Sequence, residues 1–199
     1  MNLREAMAQY PFRAAVAFQG ALIPIAFLLA GWLDVPLLSQ FQWTTEAVVI
    51  GVAATLPMLV LLGLLAVSGL RAYRTLAKQI REFLRHLFHR APQGAVALVA
   101  LLAGLGEELL MRGVLQGWLV GHLPIEWAIL LTALVFGLAH FLSGFYFLFA
   151  TLIGIWLGVV YHLTGNLLVV VLAHAIYDWI VIRIYLRTTG PEQRAPGLD

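Results

Sequence analysis

The sequence predicts an all-α fold, a polytopic membrane helix bundle of about six transmembrane helices plus one amphipathic interfacial helix. Three observations carry that prediction. Of 199 residues, 62% are hydrophobic and only 11% charged, whereas a water-soluble domain keeps about 25% charged residues because its surface faces water. Apolar runs recur at about the 20-residue length that crosses a hydrocarbon layer roughly 30 Å thick. The Lys and Arg residues apart from Arg112, finally, sit in one loop and at the two ends of the chain. Such hydrophobicity excludes disorder, which needs low hydropathy and high charge. With no cysteine in the chain, disulfides, thiolate metal sites and cysteine nucleophiles are excluded too. The isoelectric point near 9.2 reflects a net charge of only +2, so no nucleic-acid partner is expected.

The expected spans follow from the runs and from the charge or turn residues that bound them. The first is Ala14 to Leu33, ended by Asp34 and Pro36, and the second is Ala47 to Leu70, ended by Arg71. The third, Ala95 to Val120, is apolar except for Glu107, Glu108 and Arg112 in its middle. The fourth is Ile125 to His140, the fifth Phe145 to Leu163 and the sixth Leu167 to Leu186. The first run is too long for a signal-peptide core and no small-residue cleavage pattern follows it, so it reads as a span. Three regions are expected: 1–90, two transmembrane helices and a basic connector; 91–187, a four-helix core; and 188–199, a frayed tail with Pro191, Pro196 and Gly197.

Positive charge resists translocation, so Lys and Arg in short connections set the orientation. With six alternating spans, one side collects Arg4 and Arg13, the loop with Arg71, Arg74, Lys78, Arg81, Arg85 and Arg90, and Arg183, Arg187 and Arg194 at the C-terminal end. The loops on the other side hold Asp34, Glu46 and Glu126 and no Lys or Arg. Both termini are therefore expected in the cytoplasm. Small size and the lack of targeting peptides point to a bacterial cytoplasmic membrane. In the basic loop, Leu76, Ile80, Phe83, Leu84, Leu87 and Phe88 recur at helical spacing with the charges opposite. That pattern reads as a helix in the headgroup layer, with membrane lipid as its partner.

Ionisable groups inside a span cost about 2.5–3.5 kcal/mol each on insertion scales and so mark cavities and function. Here they are grouped: Glu107, Glu108 and Arg112 in span three, His140 at the end of span four, and His174 and Asp178 in span six. Glu108 and Arg112, at i and i+4, share a helix face and pair. Glu107 points about 100° away, which leaves its carboxylate free for chemistry while Glu108 and Arg112 hold the helix in place. His174 and Asp178 are also at i and i+4, one face presenting an imidazole and a carboxylate. Phe136, one turn before His140, packs against the imidazole and walls off one side of a site. Counting residues puts Glu107 deeper than His140, so either span three begins later than drawn or a bend at Gly104 and Gly106 corrects the depth.

Glu-Glu-x-x-x-Arg, then Phe-x-x-x-His, then His-x-x-x-Asp, in that order on successive apolar helices, resembles the CPBP family of membrane proteins, the CAAX prenyl proteases and bacteriocin-processing or Abi proteins. The resemblance covers roughly Gln93 to Leu186; spans one and two and the basic helix match no motif of it. It implies an intramembrane endopeptidase in which Glu107 and His140 activate a water while His174 and residue 178 stabilise the oxyanion. It also implies a lipidated or transmembrane peptide as substrate, with processing and immunity roles equally open. The family most often has asparagine where this chain has Asp178. Asparagine donates a hydrogen bond to an oxyanion, whereas an ionised aspartate repels it, so Asp178 must carry a proton, orient His174 or bind a metal.

The set Glu107, His140, His174 and Asp178 also suits a zinc site with an open water position. No His-Glu-x-x-His helix is present, which favours the glutamate-and-histidine mechanism, with no cofactor certain. Two other classes stay open. A proton-coupled carrier also buries such residues but usually shows duplicated halves, and a non-catalytic scaffold would use the cluster only to hold helices together. The sequence leaves the oligomeric state open. His122 and His162 read as interfacial, Asn166 as a helix cap, Trp118, Trp127, Trp156 and Trp179 as lipid or interface packing, and the Gly-x-x-x-Gly pairs at 113/117 and 154/158 as close helix contacts.

Overall fold

The computed structural model describes residues 10–188, which are all-helical, without a strand. Arg4, Arg194 and the tail prolines Pro191 and Pro196 lie outside the described residues. The helices are α1 (Pro11–Trp32), α2 (Thr45–Val67), α3 (Arg71–Leu87), α4 (Ala95–Glu108), α5 (Gly117–Val120), α6 (Ile125–Ala139), α7 (Gly144–Thr164) and α8 (Leu167–Arg187). The π-helical turns Leu109–Gln116 join α4 to α5. Every expected run is recovered to within a few residues, because its limits are set by local chemistry. Thr44 caps α2 by accepting from the Ala47 N–H at 3.0 Å, Ser143 caps α7 from Tyr146 at 3.1 Å, and Asn166 caps α8 from Leu168 at 3.0 Å. Gly165, with φ +59°, ends α7 in the left-handed conformation that a Cβ disfavours.

The number of spans is lower than the sequence suggested. Four helices, α1, α2, α7 and α8, are long and apolar enough to cross a membrane. The fourth expected span is a helix of only 15 residues, about 22 Å at 1.5 Å per residue. The third is regular only to Glu108, then widens into π turns around the buried Arg112. The count is therefore about four to five rather than six.

α8 is the centre of the bundle, packed against α2 and α4 and touching α3 and α7, while α6 pairs with α7 and α1 with α4. The outer faces of α1 and α2 are apolar, with Leu28 74% and Val67 81% exposed. Facing lipid, such a surface costs nothing; in water it would be an aggregation liability. The chain is thus an integral membrane protein.

Small residues set the helix spacing. Gly154 abuts Ala133, Gly158 abuts Gln116 and Ile129, and Gly113 abuts Leu37 and Leu167. Two expectations need amending. Trp156 does not simply face lipid, since its Nε1 donates to the Ala54 carbonyl at 2.8 Å and ties α7 to α2. Asn166 does more than cap, because it also accepts from the Gln42 N–H at 3.1 Å and donates to the Gln42 carbonyl at 2.9 Å. The basic helix α3 buries Leu76, and packs Ala77, Leu84 and Leu87 against Ile182 and Tyr185 of α8. Its Arg85 donates to the Thr188 carbonyl at 3.1 Å.

Candidate active site

Three helices bring the ionisable residues together. Glu107 and Glu108 end α4, His140 follows the last turn of α6, and His174 and Asp178 lie on consecutive turns of α8. The depth discrepancy is resolved neither by a later start of span three nor by a bend. α4 begins at Ala95 and is regular through Gly104 and Gly106, and the shortness of α6 leaves His140 inside the bundle. The two glycines serve close approach instead. A Cβ at Gly104 would lie 2.8 Å from the Ala175 nitrogen of α8, and one at Gly106 would lie 2.8 Å from the Gln19 carbonyl oxygen of α1. Two residues apart on a helix, they clamp α4 between those neighbours.

The neighbouring glutamates enter different surroundings. Glu108 is fully buried, as is Arg112. One carboxylate oxygen, Glu108 Oε1, accepts from Arg112 at 2.9 Å and from His174 Nδ1 at 2.7 Å. Arg112 also donates to the Gly154 carbonyl at 2.8 Å, so one side chain joins the π turns to α4 and α7. Glu107 turns the other way. Its Oε2 lies 3.5 Å from His140 Nε2 and has no hydrogen-bond partner among the described residues, and its Oε1 accepts from Gln19 Nε2 at 2.9 Å. Asp178 Oδ2 lies 3.6 Å from His174 Nε2.

Hydrogen bonding assigns the tautomer of His140. Its Nδ1 lies 2.8 Å from the Phe136 carbonyl, which only accepts, so Nδ1 carries the proton. In the neutral ring Nε2 is then the lone-pair nitrogen facing Glu107. Phe136 touches the partners of both carboxylates. Its ring centroid is 4.4 Å from that of His140 and 5.9 Å from that of His174, and the Arg112 guanidinium sits 4.9 Å from it.

A largely apolar cavity of about 620 Å³ opens beside the site, lined by α1, α2, α3, α4, α7 and α8, within the usual range for ligand pockets of about 300–1,000 Å³. Its polar lining includes Gln19, Tyr146 and Asp178, and each of these meets a site residue. Gln19 bonds Glu107, Asp178 approaches His174, and the Tyr146 ring stands edge-on to His140 with centroids 6.3 Å apart. Gln19 and Tyr146 were missed in the sequence. A glutamine in an apolar span was the available signal for Gln19; a tyrosine in such a helix is too common to stand out.

Among the described residues no three His, Asp or Glu side chains are gathered as a metal-holding group. Both ring nitrogens of His174 face carboxylates, and His140, with Nδ1 held by the Phe136 carbonyl, keeps only Nε2 to offer, toward Glu107.

Residues 91–180 match the family model described as Type II CAAX prenyl endopeptidase Rce1-like. The matched segment contains Glu107, Glu108, Arg112, Phe136, His140, His174 and Asp178, and it bears out the resemblance drawn from the motifs. No curated protein and no solved structure matches the chain.

Proposed function

Taking residues 91–180 as an Rce1-like region, we propose that the chain is an intramembrane endopeptidase that hydrolyses a lipidated or membrane-embedded peptide without a metal. The observation that carries the reading is the pairing of Glu107 Oε2, unpartnered, with the lone-pair nitrogen of His140 at 3.5 Å. A water off the line joining them can donate to both at ordinary hydrogen-bond distance. Glu107 takes the water's proton as the water oxygen bonds to the carbonyl carbon. When the tetrahedral intermediate collapses, the C–N bond breaks and the proton passes from Glu107 to the leaving amine. His174 and Asp178 face the developing oxyanion. Because the Nδ1–H of His174 is given to Glu108, the donor to the oxyanion is the Nε2–H of its imidazolium form, and Asp178, 3.6 Å from that nitrogen, orients the ring or donates as the protonated acid. The apolar cavity of about 620 Å³, lined by Asp178 and by Gln19 and Tyr146, which touch Glu107 and His140, suits a substrate carrying a lipid chain or apolar side chains. With the basic connections on the cytoplasmic side of a bacterial membrane, substrate reaches the site from that side.

The test is cleavage of internally quenched peptides, one set lipid-anchored and one transmembrane, by protein in liposomes, with metal content measured and the assay repeated under chelation. Metal-free protein that cleaves, and loses cleavage as Glu107→Gln, supports the reading. One bound zinc whose removal stops cleavage would replace it with the zinc-dependent version. No cleavage of either set would move the chain to the carrier or scaffold classes.

A further inference from the structure

Gln19 lies in α1, outside the 91–180 region, yet it bonds the glutamate proposed as the base. Because an ionised carboxylate only accepts, the amide must turn its NH₂ toward Glu107. The other end, Gln19 Oε1, is then a buried acceptor without a hydrogen-bond partner among the described residues, on a side chain that lines the cavity. The contact depends on Gly106: a Cβ there would meet the Gln19 carbonyl oxygen at 2.8 Å and Leu22 Cβ at 3.0 Å. α1 and α4 are thus in backbone contact one residue from Glu107. A buried, unpartnered amide oxygen is costly unless something fills it. A peptide bond exposed for hydrolysis within a membrane has left its helix and brings N–H groups that also lack partners there.

We propose that Gln19 is the fourth-helix residue of the site. Its Nε2 is a positioning group, holding Glu107 Oε1 so that Oε2 faces His140, and its Oε1 accepts a backbone N–H of the peptide lying in the cavity. This deepens the endopeptidase reading and rests on it.

The experiment compares wild type with Gln19→Leu, and with Gln19→Met should the leucine variant fail to fold by size exclusion in detergent. The first readout needs no turnover. The infrared difference between each protein and its Glu107→Gln partner isolates the Glu107 carboxyl band, and that band moves in the Gln19 variant if the amide holds the carboxylate. The second readout uses a quenched peptide that wild type cleaves, N-methylated in turn at each backbone amide around the scissile bond. Expected are a kcat lower by about 10²-fold, the usual cost of a misplaced group, and one N-methyl position that slows wild type about tenfold, the worth of one hydrogen bond, without further slowing the variant. An unmoved band with wild-type kcat overturns the positioning role. N-methyl effects equal in both proteins at every position overturn the acceptor role. A moved band without cleavage by wild type overturns the endopeptidase reading, and the acceptor role with it, while the Gln19–Glu107 clamp stands.

Discussion

Glu107 and Glu108 are consecutive residues of one helix, yet the protein uses them in opposite ways. Glu108 is fully buried and collects a guanidinium and an imidazole on a single oxygen. Glu107 borders a cavity liner, keeps one oxygen unpartnered and faces a histidine across 3.5 Å. The difference arises from about 100° of helix rotation, while the Phe136 ring contacts His140 beside one carboxylate and Arg112 beside the other. Each keeps one oxygen, Oε2, without a hydrogen-bond partner among the described residues, so the spare oxygen does not separate them. What does is that Glu108 is paired with a guanidinium and sealed from solvent, which builds structure, whereas Glu107 is held by a residue of the cavity wall and faces a histidine, which places it for chemistry.

That contrast can be broken from either side. The largest effect on rate is expected from Glu107→Gln, which lowers cleavage by about 10²–10⁴-fold, the range for a general base, with an unchanged melting curve; near-normal turnover would remove Glu107 from the mechanism. Arg112→Met attacks the other carboxylate. By leaving Glu108 buried without its cation it costs about 3–5 kcal/mol of stability, seen as a lower melting temperature in detergent, and a protein that melts like wild type would deny Arg112 its structural role. Phe136→Leu sharpens the comparison at the shared ring: losing the ring contacts costs about 0.5–1.5 kcal/mol and lowers cleavage modestly along with stability, so a change in only one of the two would show that the ring serves only one carboxylate. The smallest effect is expected from Asp178→Asn, which retains cleavage with a loss under about tenfold, one hydrogen bond's worth. Complete loss would favour a metal-ligating or orienting aspartate over an oxyanion donor.

The motif residues were readable because each breaks a strong local rule. Glu107, His140, His174 and Asp178 are ionisable groups in apolar helices, and the i, i+4 spacing of Glu108 with Arg112 and of His174 with Asp178 placed the partners on shared faces. Gln19 escaped notice because it is uncharged, and nothing in the local sequence of α1 says which helix it faces. A bend at Gly104 and Gly106 is one of the two ways the sequence offers to correct the depth of Glu107, the other being a later start of span three. Their use as contact points depends on α8 and α1, which are remote in sequence.

Composition, the length of the apolar runs and the distribution of Lys and Arg were enough to determine an all-helical membrane protein and to put its helix limits within a few residues, because burial in lipid and helix capping act on neighbours along the chain. The tertiary structure alone decided that α6 is too short to cross by itself, that α4 widens into π turns around Arg112, and that Gln19 closes on Glu107 beside a 620 Å³ cavity. Those outcomes depend on which small residues let which helices touch, and helix packing is settled between segments tens of residues apart.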